Sequence, residues 1–370
     1  MGNLEYLKKL VSFETDGNEK GINECLSYIK NELELYGWNT ELVKNNENGK
    51  NSLVASYNSN LKNISEGVLL AGHIDTVDTP KDKWETNPWE VTQKGNMLYG
   101  LGIADMKAFM GAILSNLQNI KKLDLKKPIV IAFTNDEETV MYSVQKVCEY
   151  FKNNNIKPKY SIIGEPSLMT FSNSNKGFYE FETIINGKAC HSSNPQLGIN
   201  AIYIMSKLIT FIEELSFEYI KKGTTINVGL INGGKMCNIV ADKCSIRWDV
   251  RTFKRQDLDD IKNRVNDYLN ELMSKYNGAD FTNEIVFKIP VFEYKNVDIT
   301  NEFMKKYNII EKPYDAATEA GFYQELGIDC IIYGCGDIKD AHTINEKIII
   351  DNYNQYCENI LDMIKYLCRN

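Results

Sequence analysis

The segment PIVIAFTNDEET, residues 128–139, decides how this chain is read. Pro128 to Phe133 form an apolar run with no polar interruption. A strand without alternation is buried on both faces, which is the pattern of a parallel sheet covered by helices. The run leads straight into Asp136, Glu137 and Glu138. Three adjacent carboxylates repel one another and resist burial unless solvent or a cation meets them. Two readings stand at this point. The acids form a solvated turn that caps the next helix, with Asp136 or Thr139 as N-cap, or they are cation ligands at the end of a core strand.

Working outward, the first half of the chain alternates helical patterns with short apolar runs. Helices are expected at the N-terminus, where Leu4, Leu7, Leu10 and Val11 share one face, and at about 21–37, 107–121 and 139–153. Strands are expected at NTELVK, SLVASY, GVLLAG, PIVIAF and YSIIG. The expected fold is α/β, a largely parallel sheet sandwiched by helices. The pattern changes after Lys176. Strands with more alternation (FYEFETIING, TTINVGLING, CSIRWDVRTF, EIVFKIP) and two long helices (about 199–220 and 256–276) follow in the order of a split βαβ unit. The α/β pattern then resumes with a helix at 300–308, the strand DCIIYG and a closing helix at about 353–368. Residues 177–288 therefore read as an α+β domain inserted into a discontinuous domain of 1–176 and 289–370.

Composition narrows the function. The chain has 370 residues, 43% hydrophobic and 25% charged, with a formal charge of −8. An acidic chain with no basic run is a poor partner for nucleic acid or an anionic membrane, so a small-molecule substrate is the expectation. No segment approaches the roughly 18 apolar residues of a membrane span, and the amphipathic N-terminus does not read as a signal peptide. Nine scattered cysteines without a CxxC pair suit free thiols in a reducing cytoplasm.

The chain holds three histidines, at 73, 191 and 342. His73 follows GVLLAG directly, and His342 lies a few residues beyond DCIIYG. Asp105 follows the glycine-rich LYGLGIAD, Glu137 and Glu138 follow PIVIAF, and Glu165 follows YSIIG. Loops beyond the carboxyl ends of parallel strands converge on one crevice, so five loops are expected to bring two imidazoles and several carboxylates together. Nitrogen and oxygen donors without thiolate select zinc, with cobalt or manganese as alternatives. Two His and three carboxylates exceed the needs of one catalytic zinc and suit two divalent ions. Glu137 and Glu138, pointing apart, can then divide the work, one as ligand and one as general base and acid. Asp75 is placed to hold the other nitrogen of His73.

These residues, with the stretches AGHIDTV (71–77), LYGLGIADMK (98–107), TNDEET (134–139), IIGEPS (162–167), ACHSSNPQLGINAI (189–202), ATEAGFYQ (317–324) and GCGDIKDAHTINE (334–346), resemble the di-zinc aminoacylases and carboxypeptidases of peptidase family M20. The resemblance implies that His73 and Glu165 bind one metal, Glu138 and His342 the other, and that Asp105 bridges them. It implies Glu137 as general base, and a lid and homodimer role for the inserted domain. His191 would reach the partner subunit's site to stabilise the oxyanion, while Asn238 and Arg251 would bind the substrate's carboxylate or the oxyanion. Arg251 fits an ordinary strand salt bridge equally well. One departure is ADMKA for the family's usual ADMKG, which places Ala108 at a helix start and removes no ligand.

Within the family the set looks most like the acetylornithine deacetylase branch, which implies hydrolysis of N2-acetyl-L-ornithine to acetate and L-ornithine in arginine biosynthesis. Residues 314–333 contain no Lys or Arg, which disfavours a succinyl-diaminopimelate substrate with its extra carboxylate. Glu319 could face the ornithine ammonium or serve as a structural carboxylate. Another small N-acyl amino acid or a dipeptide is the second reading, and a non-catalytic metal-binding dimer the third.

Overall fold

The computed structural model describes residues 3–44, 51–294, 297–314 and 316–369. It resolves into two compact units, one of Met1–Asn173, Tyr294–Tyr314 and Thr318–Asn370, the other of Ser174–Glu293 with Asp315–Ala317.

In the first unit the apolar runs form the centre of a large mixed sheet. Ile129–Thr134, Val68–His73, Tyr160–Ile163 and Asp329–Ile332 lie side by side in that order and all run parallel. Asn51–Tyr57 and Asn39–Lys44 extend one edge antiparallel. Ile129–Thr134 and Val68–His73 are buried at every position, as expected for strands covered on both faces. Leu53, Ala55, Val68, Leu70, Ile129, Ile131 and Phe133 share one core with helices Asn3–Val11, Glu19–Leu35, Ala108–Ser115 and Ile350–Arg369. The intervening residues Val54, Leu69, Ala71, Val130 and Ala132 are buried too. Helix Tyr142–Asn153 packs on the strands Asn39–Lys44, Asn51–Tyr57 and Ile129–Thr134, and the ring of its Phe151 lies 6.3 Å from that of Tyr323 in helix Ala320–Glu325, within the roughly 4.5–7 Å typical of aromatic pairs. Each fully buried Leu, Ile, Val or Phe contributes on the order of 1.5–3 kcal/mol. A core of this extent offsets the cost of holding carboxylates in its rim.

Ala108 begins its helix with φ −60° and is buried in the apolar core. That conformation is open to any L-residue, so the methyl group introduces no backbone strain.

The second unit is a four-stranded antiparallel sheet in the order Thr225–Gly233, Lys243–Thr252, Gly177–Asn186, Asp280–Ile289. Burial alternates strictly along Gly177–Asn186, so one face is covered and the other is not. Helices Ala201–Tyr219 and Arg255–Lys275 supply the cover, through Ile204, Leu208, Ile212, Ile261, Val265 and Leu269 against Phe181, Ile246, Trp248 and Val250. The first of these helices is capped by Asn200, whose side chain accepts from the Ile202 and Tyr203 amides at 3.0 and 3.4 Å. Among the described residues no helix is long and apolar enough to cross a membrane. All nine cysteines are free thiols.

Candidate metal centre

Four adjacent parallel strands send their carboxyl ends to one edge of the sheet. Val68–His73 ends on His73 itself, Ile129–Thr134 leads to Glu137 and Glu138, Tyr160–Ile163 leads to Glu165, and Asp329–Ile332 leads to His342. Asp105 arrives differently from the sequence reading. Its loop follows Met97–Tyr99, a strand of a separate three-stranded sheet, and turns irregularly into helix Ala108–Ser115. Four donors are thus strand-end residues, and the fifth is delivered by a helix entrance.

The donors form two groups that share Asp105. His73, Asp105 and Glu165 make one, and Asp105, Glu138 and His342 the other, each with its ligand atoms within 4.8 Å of one another. His73 Nε2 lies 3.1 Å from Asp105 Oδ1, and His342 Nε2 lies 3.4 Å from Oδ2 of the same carboxylate and 2.8 Å from Glu138 Oε2. Glu165 is buried, and its Oε1 has no hydrogen-bond partner among the described residues. A buried carboxylate oxygen left in this way, within a set of nitrogen and oxygen donors, fits a divalent cation.

The electrostatics point the same way. Burial first, and then the charge of a neighbouring carboxylate, lifts Glu137 and Glu165 well above the ordinary carboxylate range, and burial raises Glu138. Asp105 is held low despite its burial, because both imidazoles bond to it. Burial favours the neutral His73 ring, but Asp105, Asp75 and Glu137 outweigh it and carry its pKa well above the usual imidazole value. His342 is pushed up to about 10 by its bonds to Asp105 and Glu138. A cluster that draws protons onto both of its imidazoles is short of positive charge. A cavity of about 240 Å³ adjoins it, lined in part by Asp16, Asp75, Asp78, Asn135, Glu138 and Thr139.

The helix after segment 134–139 begins at Tyr142, with Met141 as its N-cap and no side-chain cap bond. Neither Asp136 nor Thr139 is therefore the N-cap that the sequence suggested, and Asp136 is buried where a solvated turn was expected. Asp136 accepts from the Ser143 amide at 2.9 Å and from its hydroxyl, which ties down the first turn of helix Tyr142–Asn153. Glu137 and Glu138 turn toward the donor set instead. Asp75 has a different contact from the one expected. The nearest partner of His73 Nδ1 is the Asp75 backbone carbonyl at 3.0 Å, with the carboxylate oxygen at 3.6 Å. The Asp75 side chain instead accepts from the Glu138 amide at 3.1 Å and so braces the acidic turn. Glu319 is buried with Oε1 2.5 Å from the Thr134 hydroxyl, and burial pushes its carboxyl up to about 8.

His191, Asn238 and Arg251 belong to the second unit. The Ser192 amide bonds to the Asn238 carbonyl at 3.1 Å, so the first two sit on neighbouring segments. His191 is exposed, and its Nδ1 takes bonds from the Ser193 amide at 3.2 Å and hydroxyl at 2.8 Å. Arg251 lies over the Phe178 ring at 4.6 Å and 3.4 Å from Asp249.

The peptidase family M20/M25/M40 model matches residues 69–366. The chain belongs to peptidase family M20. Two acetylornithine deacetylases, from Aliivibrio fischeri and Vibrio atlanticus, are 32% and 31% identical to this M20 chain over 366 and 384 residues, covering 93% and 99% of it and 93% and 98% of their own lengths. Among solved structures, a tripeptidase from Staphylococcus aureus superposes with a TM-score of 0.71 at 24% identity, covering 99% of the chain and 97% of its own. A dinuclear metal binding peptidase of the family from Bacillus subtilis does so with 0.68 at 15% identity over 99% of each chain. These likenesses support the fold, and the family together with the donor groups makes the M20 chain a metal-dependent amide hydrolase.

Two residues near the donors escaped the sequence reading. Tyr314 is buried, its hydroxyl has no hydrogen-bond partner among the described residues, and burial and then the charges of Glu165, Asp105, Glu137 and Glu138 raise its pKa well above the ordinary value. Nothing in the sequence distinguishes it from the other tyrosines. Glu346 lies at the end of the matched stretch 334–346 and is buried beside Asp105. Its position within a motif was the available signal.

Proposed function

We propose that this enzyme hydrolyses the amide bond of N2-acetyl-L-ornithine, releasing acetate and L-ornithine, with two divalent ions at the donor set. The observation that carries the reading is the pair of three-donor groups sharing Asp105, with Glu137 beside them. The substrate rests on the two deacetylase relatives named above.

His73 and Glu165 are assigned to one ion, Glu138 and His342 to the other, and Asp105 to both. Ions bound there, zinc by preference for this donor set, supply Lewis-acid polarisation of the amide carbonyl and lower the pKa of water. Glu137 takes the proton from the attacking water and returns it to the leaving nitrogen. Asp75 positions this machinery by holding His73 through its carbonyl and the Glu138 turn through its carboxylate. His191 suits an oxyanion donor, because the Ser193 amide occupies Nδ1 and leaves the neutral ring's proton on Nε2. Asn238 and Arg251 are assigned to the substrate's carboxylate or the oxyanion. Glu319 is assigned to supporting the end of strand Ile129–Thr134, because its burial and its bond to Thr134 favour the structural role.

The reading is tested by ornithine release from N2-acetyl-L-ornithine by zinc-loaded enzyme, beside acetyl-methionine, succinyl-diaminopimelate and a dipeptide. We expect the highest kcat/KM for acetylornithine. A higher value for another member of the panel would keep the chemistry and replace the substrate. Silence on all four with two bound metals would favour a binding protein.

The second unit is assigned a lid and homodimer role in a cytoplasmic enzyme. Support comes from its edge strand Thr225–Gly233, where Leu230 and Ile231 are 65% and 61% exposed. Soluble proteins seldom leave such an edge unprotected, and a second copy would cover it. Ile231→Lys is expected to halve the mass measured by light scattering, with an unchanged circular dichroism spectrum. A wild-type chain that is already monomeric would refute the assignment.

A further inference from the structure

The segment that presents Asp105 has little regular backbone structure to hold it. Gly102 has φ +73°, and Asp105 and Met106 leave helical geometry. Amides in such a segment still need acceptors when they are buried. Glu346 supplies them. Its Oε2 accepts from the Gly102 amide at 2.8 Å, and its Oε1 accepts from the Ala104 and Asp105 amides at 2.7 and 3.0 Å.

We propose that Glu346 is a positioning residue for the shared donor, a clasp that fixes the Asp105 backbone to the segment carrying His342. The proposal rests on the reading of these donors as metal ligands. Glu346 follows His342 by one turn of chain, and its own carbonyl accepts from the Gly100 amide at 3.1 Å. The next residues continue the attachment as a short antiparallel ladder, Lys347 opposite Tyr99 and Ile348 opposite Leu98. From another side Gly336 lies so close that a Cβ there would stand 2.6 Å from the Ala104 carbonyl oxygen. Lys107, also buried, donates to the Phe13 carbonyl at 3.1 Å and adds positive charge close to the clasp.

The geometry explains why the clasp matters to the site as well as to the fold. Asp105 meets one imidazole with each of its oxygens, at 3.1 and 3.4 Å. Any drift of its backbone alters both donor groups together. A carboxylate can accept all three amide bonds, whereas the amide of glutamine turns an NH₂ group toward at least one backbone N–H.

The test is Glu346→Gln, with zinc affinity measured by competition against a chromophoric chelator, thermal melting followed in parallel, and kcat and KM measured at saturating zinc. Expected are zinc binding weakened ~10–100-fold, the range typical when a ligand's support is removed, and a fall in kcat at unchanged KM. Gly336→Ala is the second variant. It leaves Glu346 in place while pressing a methyl group onto Ala104, and is expected to weaken zinc in the same way. If Glu346→Gln does not fold, Glu346→Asp, which keeps the charge but shortens its reach to the three amides, decides in its place. Wild-type affinity in a folded variant, even with a lowered melting temperature, would reduce Glu346 to a structural residue and overturn the proposal. Failure of the wild-type protein itself to bind zinc would instead overturn the metal-centre reading on which it rests.

Discussion

Glu137→Gln, loaded with metal, is expected to turn over substrate about 10²–10⁴-fold more slowly than the unaltered enzyme, the span over which a positioned general base contributes. Glu137 sits next to Glu138 in the turn after Ile129–Thr134, yet it belongs to neither three-donor group. The substitution keeps the side chain's size and removes its capacity to take a proton. Metal stoichiometry should therefore remain that of the wild type, and KM should change little. Single-turnover kinetics with metal analysis on the same sample would check this. A Gln variant that lost metal along with activity would show Glu137 to be a ligand. Near-wild-type turnover would require a different base.

Asp105→Ala should have the second large effect, and of a different kind. Asp105 is the residue common to both groups, in contact with His73 through one oxygen and with His342 through the other. Its removal is expected to lower metal content at both positions, whereas His342→Ala should affect one. Lewis-acid polarisation is worth several kcal/mol of transition-state stabilisation, and each 1.36 kcal/mol is a factor of ten. Activity should therefore fall roughly 10³-fold or more, and mass spectrometry under native conditions should show the lost ions directly. Retention of two ions per chain by Asp105→Ala would contradict its assignment to both.

The fold was legible because its central strands are continuous apolar runs. GVLLAG, PIVIAF and YSIIG can only be strands buried on both faces or short helical cores, and their brevity and spacing settle the choice. The alternation along FYEFETIING predicts a one-sided sheet, and Gly177–Asn186 has that burial pattern. Side-chain direction was harder to read. Nothing in HID says whether the carbonyl or the carboxylate of Asp75 will meet His73, since both lie within reach of the ring. Likewise ATEAGF does not reveal that Glu319 folds inward to Thr134, because that contact joins residues far apart in the chain. Glu346 was hidden for the same reason, its partners being amides of Gly102, Ala104 and Asp105. Residue type and local period disclose elements and strand ends, whereas hydrogen bonds across distant loops emerge only with the tertiary structure.

The discontinuity of the first unit has a consequence for how the polypeptide is made. Nearly all of the second unit, Ser174–Glu293, is one stretch that carries its own apolar core, so that core can form before the rest of the chain is made. The surrounding unit cannot. Its parallel strand Asp329–Ile332 and its helix Ile350–Arg369, whose Tyr356, Ile360 and Ile364 share a core with Leu7 and Leu10, are synthesised long after their partners. Until then Asp105 and Glu138 are waiting for His342, and the core that helix Ile350–Arg369 completes is still partly uncovered. Translation thus sets a period in which a chaperone has the most to shield, and the donor set becomes complete only near the end of synthesis.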